Sequence, residues 1–111
     1  MADRTPLTFS EIERIVAKYS KLPTDYLSYL RDIGWGNTPS GHVIYSGPIA
    51  PVEVYPQLII DRNRILIGDD MQGYCLGYDF VVNTYGEYSY DAVWKNFGVN
   101  FNLSAYLADA G

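Results

Sequence analysis

The stretch IGDDMQGYCLGYDFVVNTYGEYSYD, residues 67–91 of the 111-residue chain, decides the predicted fold. It contains five acidic residues and five tyrosines, and no lysine or arginine. Its β-branched and aromatic residues come in short runs, and glycine, asparagine and aspartate separate those runs, which is typical of strands joined by tight turns. The gaps are too short for helical crossovers between parallel strands, so the sequence predicts antiparallel pairing.

The same pattern continues towards the N-terminus, where proline and glycine separate two more short runs. The prolines around residues 52–55 indicate an edge strand, because proline cannot donate to a neighbouring strand. The predicted strands comprise residues 42–45, 52–55, 65–68, 74–80 and 87–93.

Helices are predicted on both sides of this strand-rich region. Thr8 and Glu11 have the spacing of a capping box and begin a helix over residues 8–19. A second helix over residues 23–33 begins at Pro23, and Gly34 is suited to end it in a left-handed conformation. Asn102 can cap a last helix over residues 103–110.

The order of elements predicts an α+β fold. It consists of two N-terminal helices, an antiparallel sheet of four to five strands, and a C-terminal helix packed on the sheet. A chain of 111 residues fits a single domain, residues 1–111. The composition, 48% hydrophobic and 19% charged, is that of an ordered globular protein.

The charge is distributed unevenly along the chain. The net charge is −5 at pH 7. From Ile65 onwards there are six acidic residues against Lys95 alone, while the preceding residues hold seven acids and seven bases. This balance argues against nucleic acid and anionic membranes as partners, and it favours a partner with a basic surface.

The cysteine count and the N-terminus predict a cytoplasmic protein. Cys75 is the single cysteine and has no partner for an internal disulfide, which favours a reducing compartment. The first residues, MADRTP, lack the basic and apolar pattern of a signal peptide. No apolar run approaches the ~18 residues that a membrane-spanning helix needs.

Catalytic and metal sites are weakly supported. His42 and Cys75 are the only histidine and cysteine, too few ligands for zinc and an unsupported pair for thiol catalysis. A lone cysteine is more often a small apolar filler. Asp69, Asp70 and Asp79 would hold magnesium or calcium if a hairpin brought them together. We favour the simpler interpretation that Asp69 and Asp70 form a polar turn, and we expect no cofactor.

The tyrosines divide between the two faces of their strands. Alternation places Tyr74 and Tyr78 on one face, and Tyr88 and Tyr90 on one face of the next strand. One tyrosine row would pack in the core while the acids face solvent, or the acids and tyrosines would form a protein interface. The residues alone support both interpretations equally. Trp35 and Trp94 are predicted to be mainly structural.

Three segments resemble a known family. They are LPTDYLSYLRDIGW (residues 22–35), ILIGDDMQGYCLGYDF (65–80) and NLSAYLADA (102–110). In this order they are similar to the early helix, the strand–acidic turn–strand hairpin and the closing helix of the SUKH superfamily of Smi/Knr type. The stretch PIAPVEVY (48–55) fits the intervening strand of that family only loosely.

The resemblance implies a non-catalytic α+β domain. Many bacterial members are immunity proteins that neutralise polymorphic toxins by binding them, so a cognate toxin with a basic surface, such as a nuclease, is the expected partner. The expected binding residues are Asp69, Asp70, Tyr78, Asp79, Glu87, Tyr88, Tyr90, Asp91 and Trp35. The alternatives are a regulatory scaffold of the same fold or, less favoured, a small metal-dependent hydrolase. Exposed tyrosines would equally suit a homodimer.

Overall fold

The computed structural model describes residues 4–58 and 63–107. The chain divides into two compact units, Met1–Gly47 with Asn102–Gly111, and Pro48–Phe101. Strands and helices occur together in the chain, as expected for an α+β protein. The described strands number seven rather than the four to five predicted.

The first unit combines three helices with short strands. Its elements are β1 (Arg4–Thr5), α1 (Phe9–Lys18), α2 (Thr24–Asp32), β2 (Trp35–Asn37), β3 (Val43–Ile49, which continues past the unit boundary) and α3 (Leu103–Tyr106). Strand β2 pairs antiparallel with both β1 and β3. The sequence did not reveal β1 and β2, because two or three residues are too few to show an alternating pattern.

Helix α1 begins at the predicted cap. Glu11 N donates to Thr8 Oγ1 at 3.2 Å, and Thr8 N donates to Glu11 Oε1 at 2.8 Å, which confirms the capping box. No side chain of α1 is fully buried, and Phe9 at its start is 74% exposed. None of the helices in the described ranges is long and apolar enough to cross a membrane.

Helix α2 supplies three buried side chains of this unit. Tyr26, Tyr29 and Leu30 are buried, and the chain leaves the helix through Gly34 with φ +105°, as predicted. A Cβ at Gly34 would collide with the backbone of Thr5, so both the turn and this close approach require glycine.

The last helix is capped as predicted. Ala105 N donates to Asn102 Oδ1 at 2.9 Å. Leu103 and Leu107 are buried, and α3 contacts α2. The helix ends at Tyr106, one residue before the end of the described range, and the predicted residues 108–110 lie outside the described residues.

The second unit is an antiparallel meander preceded by two short 3₁₀ helices. Its elements are Pro51–Glu53 and Pro56–Leu58 (the 3₁₀ helices), β4 (Arg64–Asp69), β5 (Cys75–Asp79), β6 (Thr84–Tyr88) and β7 (Trp94–Asn96). The four strands pair in chain order, β4 with β5, β5 with β6 and β6 with β7. All of β5 is buried, because it lies between β4 and β6.

Two strand predictions in this unit were wrong. Residues 52 and 53 belong to the 3₁₀ helix Pro51–Glu53, in which Pro51 occupies the first position and the Glu53 carboxylate accepts a hydrogen bond from Ala50 N at 3.2 Å, and residues 54 and 55 are not in a strand. Residues 87–93 do not form one strand. Strand β6 ends at Tyr88, and the chain turns through Ala92 at φ +66° before β7 begins.

Trp94 covers two facing glycines of the meander. Gly77 and Gly86 are opposite one another in β5 and β6. A Cβ at Gly86 would lie 2.5 Å from Trp94 Cζ2, and one at Gly77 would lie 3.2 Å from Trp94 Cζ3. The carbonyl oxygens of Ile65 and Lys95 would lie closer still, each at 2.4 Å, so backbone and indole together leave no room for a side chain at either glycine.

Candidate functional site

Two loops of the second unit meet at one end of the meander. Residues 70–74 join β4 to β5, and residues 89–93 join β6 to β7. Cys75, at the start of β5, is opposite Asp69 on one side and Tyr88 on the other, which brings the two loops next to each other. We call residues 69–74 and 89–93 together the loop end.

Direct contacts join the two loops. The rings of Tyr74 and Tyr90 meet edge to face with their centroids 6.3 Å apart. Gly73 has φ +98°, and a Cβ there would lie 2.9 Å from Tyr90 Cβ. The Tyr55 hydroxyl donates towards both Gly73 O at 3.3 Å and Tyr88 O at 3.5 Å. The loop end is therefore one packed surface.

The acidic side chains of the first loop hold its backbone. Asp69 Oδ1 accepts from Met71 N at 2.9 Å. Asp70 Oδ1 accepts from Gln72 N at 2.8 Å and from Tyr74 N at 3.1 Å. These bonds confirm the predicted polar turn. In the second loop, the Ser89 hydroxyl is hydrogen-bonded to Asp91 Oδ1. The carboxylates of Asp69, Asp70 and Asp91 are therefore held by hydrogen bonds within their own loops.

Large apolar side chains project from this acidic frame. Met71 is 73% exposed, Tyr90 is 72% exposed and Val93 is 61% exposed. Met71 (φ 62°) and Ala92 (φ 66°) adopt the left-handed conformation, which costs a non-glycine residue ~1–2 kcal/mol. Such strain persists only where the surroundings impose it, and it is concentrated at functional sites.

The electrostatics of the loop end are one-signed. Its charged side chains are Asp69, Asp70 and Asp91, with no base among them. The second unit as a whole contains seven acidic and three basic residues. Burial, then the neighbouring Cys75, and also the charges of Asp69 and Asp70 raise the pKa of Tyr55. The negative potential of the loop end therefore extends to the tyrosine beneath it.

The structure separates the predicted binding residues into groups. Asp69, Asp70, Tyr90 and Asp91 come together at the loop end. Glu87 is half-buried in β6 opposite Lys95.

The remaining predicted residues lie elsewhere. Tyr78, Asp79 and Tyr88 are 7%, 5% and 1% exposed, so they offer almost no surface to a partner. Trp35 lies on β2 of the first unit and is 37% exposed, more than its predicted core position would allow. Met71 and Val93 were not among the predicted binding residues. Methionine and valine are usually buried, and neither residue type indicates a turn that would expose it.

Asp79 has a structural role at the opposite end of β5. Its Oδ2 accepts from Arg64 Nε at 2.8 Å, and its Oδ1 accepts from Val81 N at 2.8 Å and Val82 N at 3.2 Å. Burial raises the pKa of Asp79, but these hydrogen bonds and the nearby Arg64 charge outweigh it, and the net shift is downwards.

The carboxylates do not converge as a metal site would require. Asp69 is paired with Cys75 at the start of β5, whereas Asp79 is the last residue of that strand. Across the described ranges, no three His, Cys, Asp or Glu side chains form a group that could hold a metal ion. Asp79 therefore does not join Asp69 and Asp70 in one set of ligands.

The two residues considered for thiol catalysis have local partners. Cys75 is buried in β5, at 3% exposure. His42 Nδ1 is hydrogen-bonded to Ser40 Oγ at 2.7 Å, and its ring contacts Tyr106 with the centroids 4.9 Å apart. Each side chain is therefore accounted for by packing or hydrogen bonding within its own unit.

Comparisons with known proteins gave no match. No protein-family model matches the sequence. No curated protein and no solved structure matches it either. What the loop end does must therefore be judged from its own residues, together with the motif resemblance described above.

Proposed function

We propose that this protein is a binding domain whose loop end docks on a basic surface of another protein. The observation that carries the proposal is the exposure of Met71, Tyr90 and Val93 beside carboxylates that are already held by hydrogen bonds. Large apolar side chains in the open are costly in solvent and are typical of interaction sites when they cluster.

The two kinds of side chain would contribute differently. The aromatic and apolar group would supply the energetic centre of the interface, as tyrosine often does at hot spots. The carboxylates would speed the encounter with a basic partner and select against acidic ones. Because Asp69 and Asp70 are fixed by their own turn, little conformational freedom would be lost on binding. An interface of ordinary size would bury about 800 Å² on each partner.

The partner that we propose is a cognate bacterial toxin. This step relies on the SUKH-like motifs of residues 22–35, 65–80 and 102–110, since many members of that superfamily are immunity proteins. Nuclease toxins need basic surfaces to hold nucleic acid, and an acidic loop end would occupy such a surface in place of phosphates. Inhibition would be stoichiometric, and it requires no catalytic residue or cofactor of this chain.

The proposal is tested with the protein encoded next to this gene. The two proteins would be co-purified, and the toxic activity would be measured with and without this chain. A 1:1 complex with loss of toxicity supports the immunity function. A complex with a non-toxic neighbour instead supports a regulatory scaffold that uses the same surface. Absence of any complex would overturn the toxin assignment.

The surface itself is tested by two substitutions. Asp91→Lys should slow association about tenfold at low salt and weaken its salt dependence. Tyr90→Ala should mainly speed dissociation. Asp79 and Asp70 are unsuitable for charge reversal, because both hold backbone amides of the fold.

A charge-matched control places the same change elsewhere. Val99→Lys with Asn100→Lys also changes the net charge by +2. Both residues are exposed and follow β7, whereas the loop end precedes it. Equal binding by the control and by Asp91→Lys would show that the loop end is not the contact surface.

A further inference from the structure

A cleft of about 340 Å³ opens at the other end of β5 from the loop end. It is lined by Asn63, Arg64, Asp79, Val81, Val82 and Asn96. Its size is at the lower limit of small-molecule sites, which are mostly apolar with a few placed polar groups. Its polar groups therefore determine which ligand it can take.

Arg64 is the more exposed member of the ion pair in the cleft. The Asp79 side chain is 7% exposed, and all three of its described hydrogen bonds are to groups of the fold itself. The Arg64 side chain is 29% exposed. Arg64 Nη1 donates to the Tyr88 hydroxyl at 3.3 Å, so the guanidinium is held in place while the Arg64 side chain contributes to the lining of the cleft.

Asn96 presents its amide donors. Trp94 Nε1 can only donate, and it lies 2.7 Å from Asn96 Oδ1. Thr84 Oγ1 donates to the same oxygen at 3.0 Å. Because Oδ1 is engaged twice, the side chain is oriented, and its NH₂ group has no hydrogen-bond acceptor among residues 4–58 and 63–107.

The opposite wall is apolar. Val81 is 66% exposed and Val82 is 50% exposed, although both belong to a tight turn whose amides are held by Asp79. At the rim, Phe80 N donates to Asn63 O at 2.8 Å, which fixes the backbone that carries the Asn63 side chain. The cleft thus combines oriented donors and a cation with a short aliphatic wall.

We propose that this cleft binds a carboxylate attached to a small branched aliphatic group. The carboxylate accepts from Asn96 Nδ2 and faces Arg64, while the aliphatic group contacts Val81 and Val82. A hydrogen bond with one ionised partner is about twice as strong as one between two neutral groups, which favours a carboxylate over an amide as the acceptor for Asn96 Nδ2. This site is separate from the loop end and does not depend on the function proposed for it.

Two sources supply this chemistry, a free aliphatic acid and the C-terminal residue of a peptide. The probes are 3-methylbutanoate and the peptide acetyl-Gly-Val with a free C-terminus. Their neutral counterparts are 3-methylbutanamide and the same peptide with a C-terminal amide. Each is titrated into the ¹⁵N-labelled full chain, and NMR shifts of the Val81 and Val82 amides and the Asn96 side chain are followed.

The expected dissociation constant is about 1 mM for ligands of this size. Both carboxylates should bind at least about tenfold more tightly than their neutral counterparts. Tighter binding of the peptide assigns the site to a chain terminus, and tighter binding of 3-methylbutanoate assigns it to a free acid. Equal binding of acids and amides, or no shifts at about 10 mM ligand, would overturn the proposal.

Asn96→Asp provides a matched test. The substituted carboxylate still accepts from Trp94 and Thr84, but it replaces the NH₂ donors with a negative charge. Binding of 3-methylbutanoate should weaken at least about tenfold. Asn100→Asp makes the same chemical change at an exposed position outside the cleft lining and should leave binding unchanged. If both variants bind like the original protein, Asn96 does not contact the ligand and the proposed site is wrong.

Discussion

Arg64 Nε donates a 2.8 Å hydrogen bond to Asp79 Oδ2, joining the first residue of β4 to the last residue of β5. The same guanidinium lies 4.7 Å from the centroid of the Trp94 ring. The other oxygen of Asp79 holds the turn that leads into β6. One ion pair therefore joins three neighbouring strands and the indole that covers them.

Removal of the Asp79 carboxylate should destabilise the protein. We expect Asp79→Ala to lower the free energy of unfolding by about 2–3 kcal/mol, since it leaves Arg64 without its carboxylate and two amides without an acceptor. Asp79→Asn should cost less, because its oxygen can still accept from Val81 and Val82. Urea denaturation monitors both. A loss below about 0.5 kcal/mol for Asp79→Ala would contradict this role.

The Asp79 carboxylate should make the free energy of unfolding depend on pH. The pKa of Asp79 is lower in the folded state than in the unfolded chain, so its stabilisation is present above the unfolded value of about 3.9. That stabilisation is lost as the pH falls through the lower folded value. Urea midpoints measured from about pH 6 down to pH 2 should therefore decline less steeply for Asp79→Asn than for the original protein. Parallel curves would argue against a shifted Asp79.

Two buried tyrosines should respond oppositely to loss of their hydroxyls. Tyr26 is 1% exposed, and its hydroxyl has no hydrogen-bond partner in the described chain. Tyr26→Phe should therefore raise the free energy of unfolding by about 1 kcal/mol. Tyr55→Phe loses the bonds to Gly73 O and Tyr88 O and should lower it by about 1 kcal/mol. Thermal unfolding of the two variants measures both changes. An equal loss of stability in both variants would show that the Tyr26 hydroxyl has a hydrogen-bond partner after all.

A methyl group at Gly86 should displace Trp94. The added Cβ would lie 2.4 Å from Lys95 O, 2.5 Å from Trp94 Cζ2 and 2.8 Å from Trp94 Cε2, so both the backbone of β7 and the indole would have to move. Gly86→Ala should cost about 1–3 kcal/mol and shift the indole emission to the red. The emission is measured in a Trp35→Phe background, in which Trp94 is the one remaining tryptophan. Gly47→Ala is the control, because its Cβ would meet only Ile15 at an ordinary 3.6 Å. Unchanged emission in Gly86→Ala would contradict the packing.

Relief of the backbone strain at Met71 should raise the stability of the protein and weaken its binding to the partner. Met71→Gly removes the left-handed penalty and should raise the free energy of unfolding by about 0.5–1 kcal/mol. If the loop end contacts the partner, the same change should weaken binding. Asn83→Gly, at φ 56° in the turn between β5 and β6, is the control and should retain full affinity. Equal affinity in both variants would remove Met71 from the interface.

Local sequence signals predicted the helices well. The Thr8–Glu11 box, the Asn102 cap and the left-handed Gly34 each depend on a few adjacent residues, and the structure confirms all three. The strand predicted at residues 52–55 was wrong, because its residue types suit a strand but Pro51 begins a 3₁₀ helix there. Residue preference alone does not distinguish these outcomes.

The candidate site was predicted by composition and not by strand alternation. Alternation placed Tyr88 and Tyr90 on one face, yet they are 1% and 72% exposed. The rule failed because β6 ends at Tyr88, and the turn that follows uses Ala92 in place of the glycine or asparagine that usually marks one. The acidic turn of Asp69 and Asp70 was predictable, since aspartates bond to nearby backbone amides wherever they occur.

The loop end keeps its shape without its most exposed side chains. The hydrogen bonds that form the loops use backbone groups, Asp69, Asp70, Ser89 and Tyr55, and none uses the side chain of Met71, Tyr90 or Val93. Met71 and Val93 can therefore vary in size and chemistry while both hairpins persist, whereas Tyr90 also packs on Tyr74. A lineage carrying this scaffold could retarget it to a new partner by changing a few codons, with little need for compensating mutations in the core.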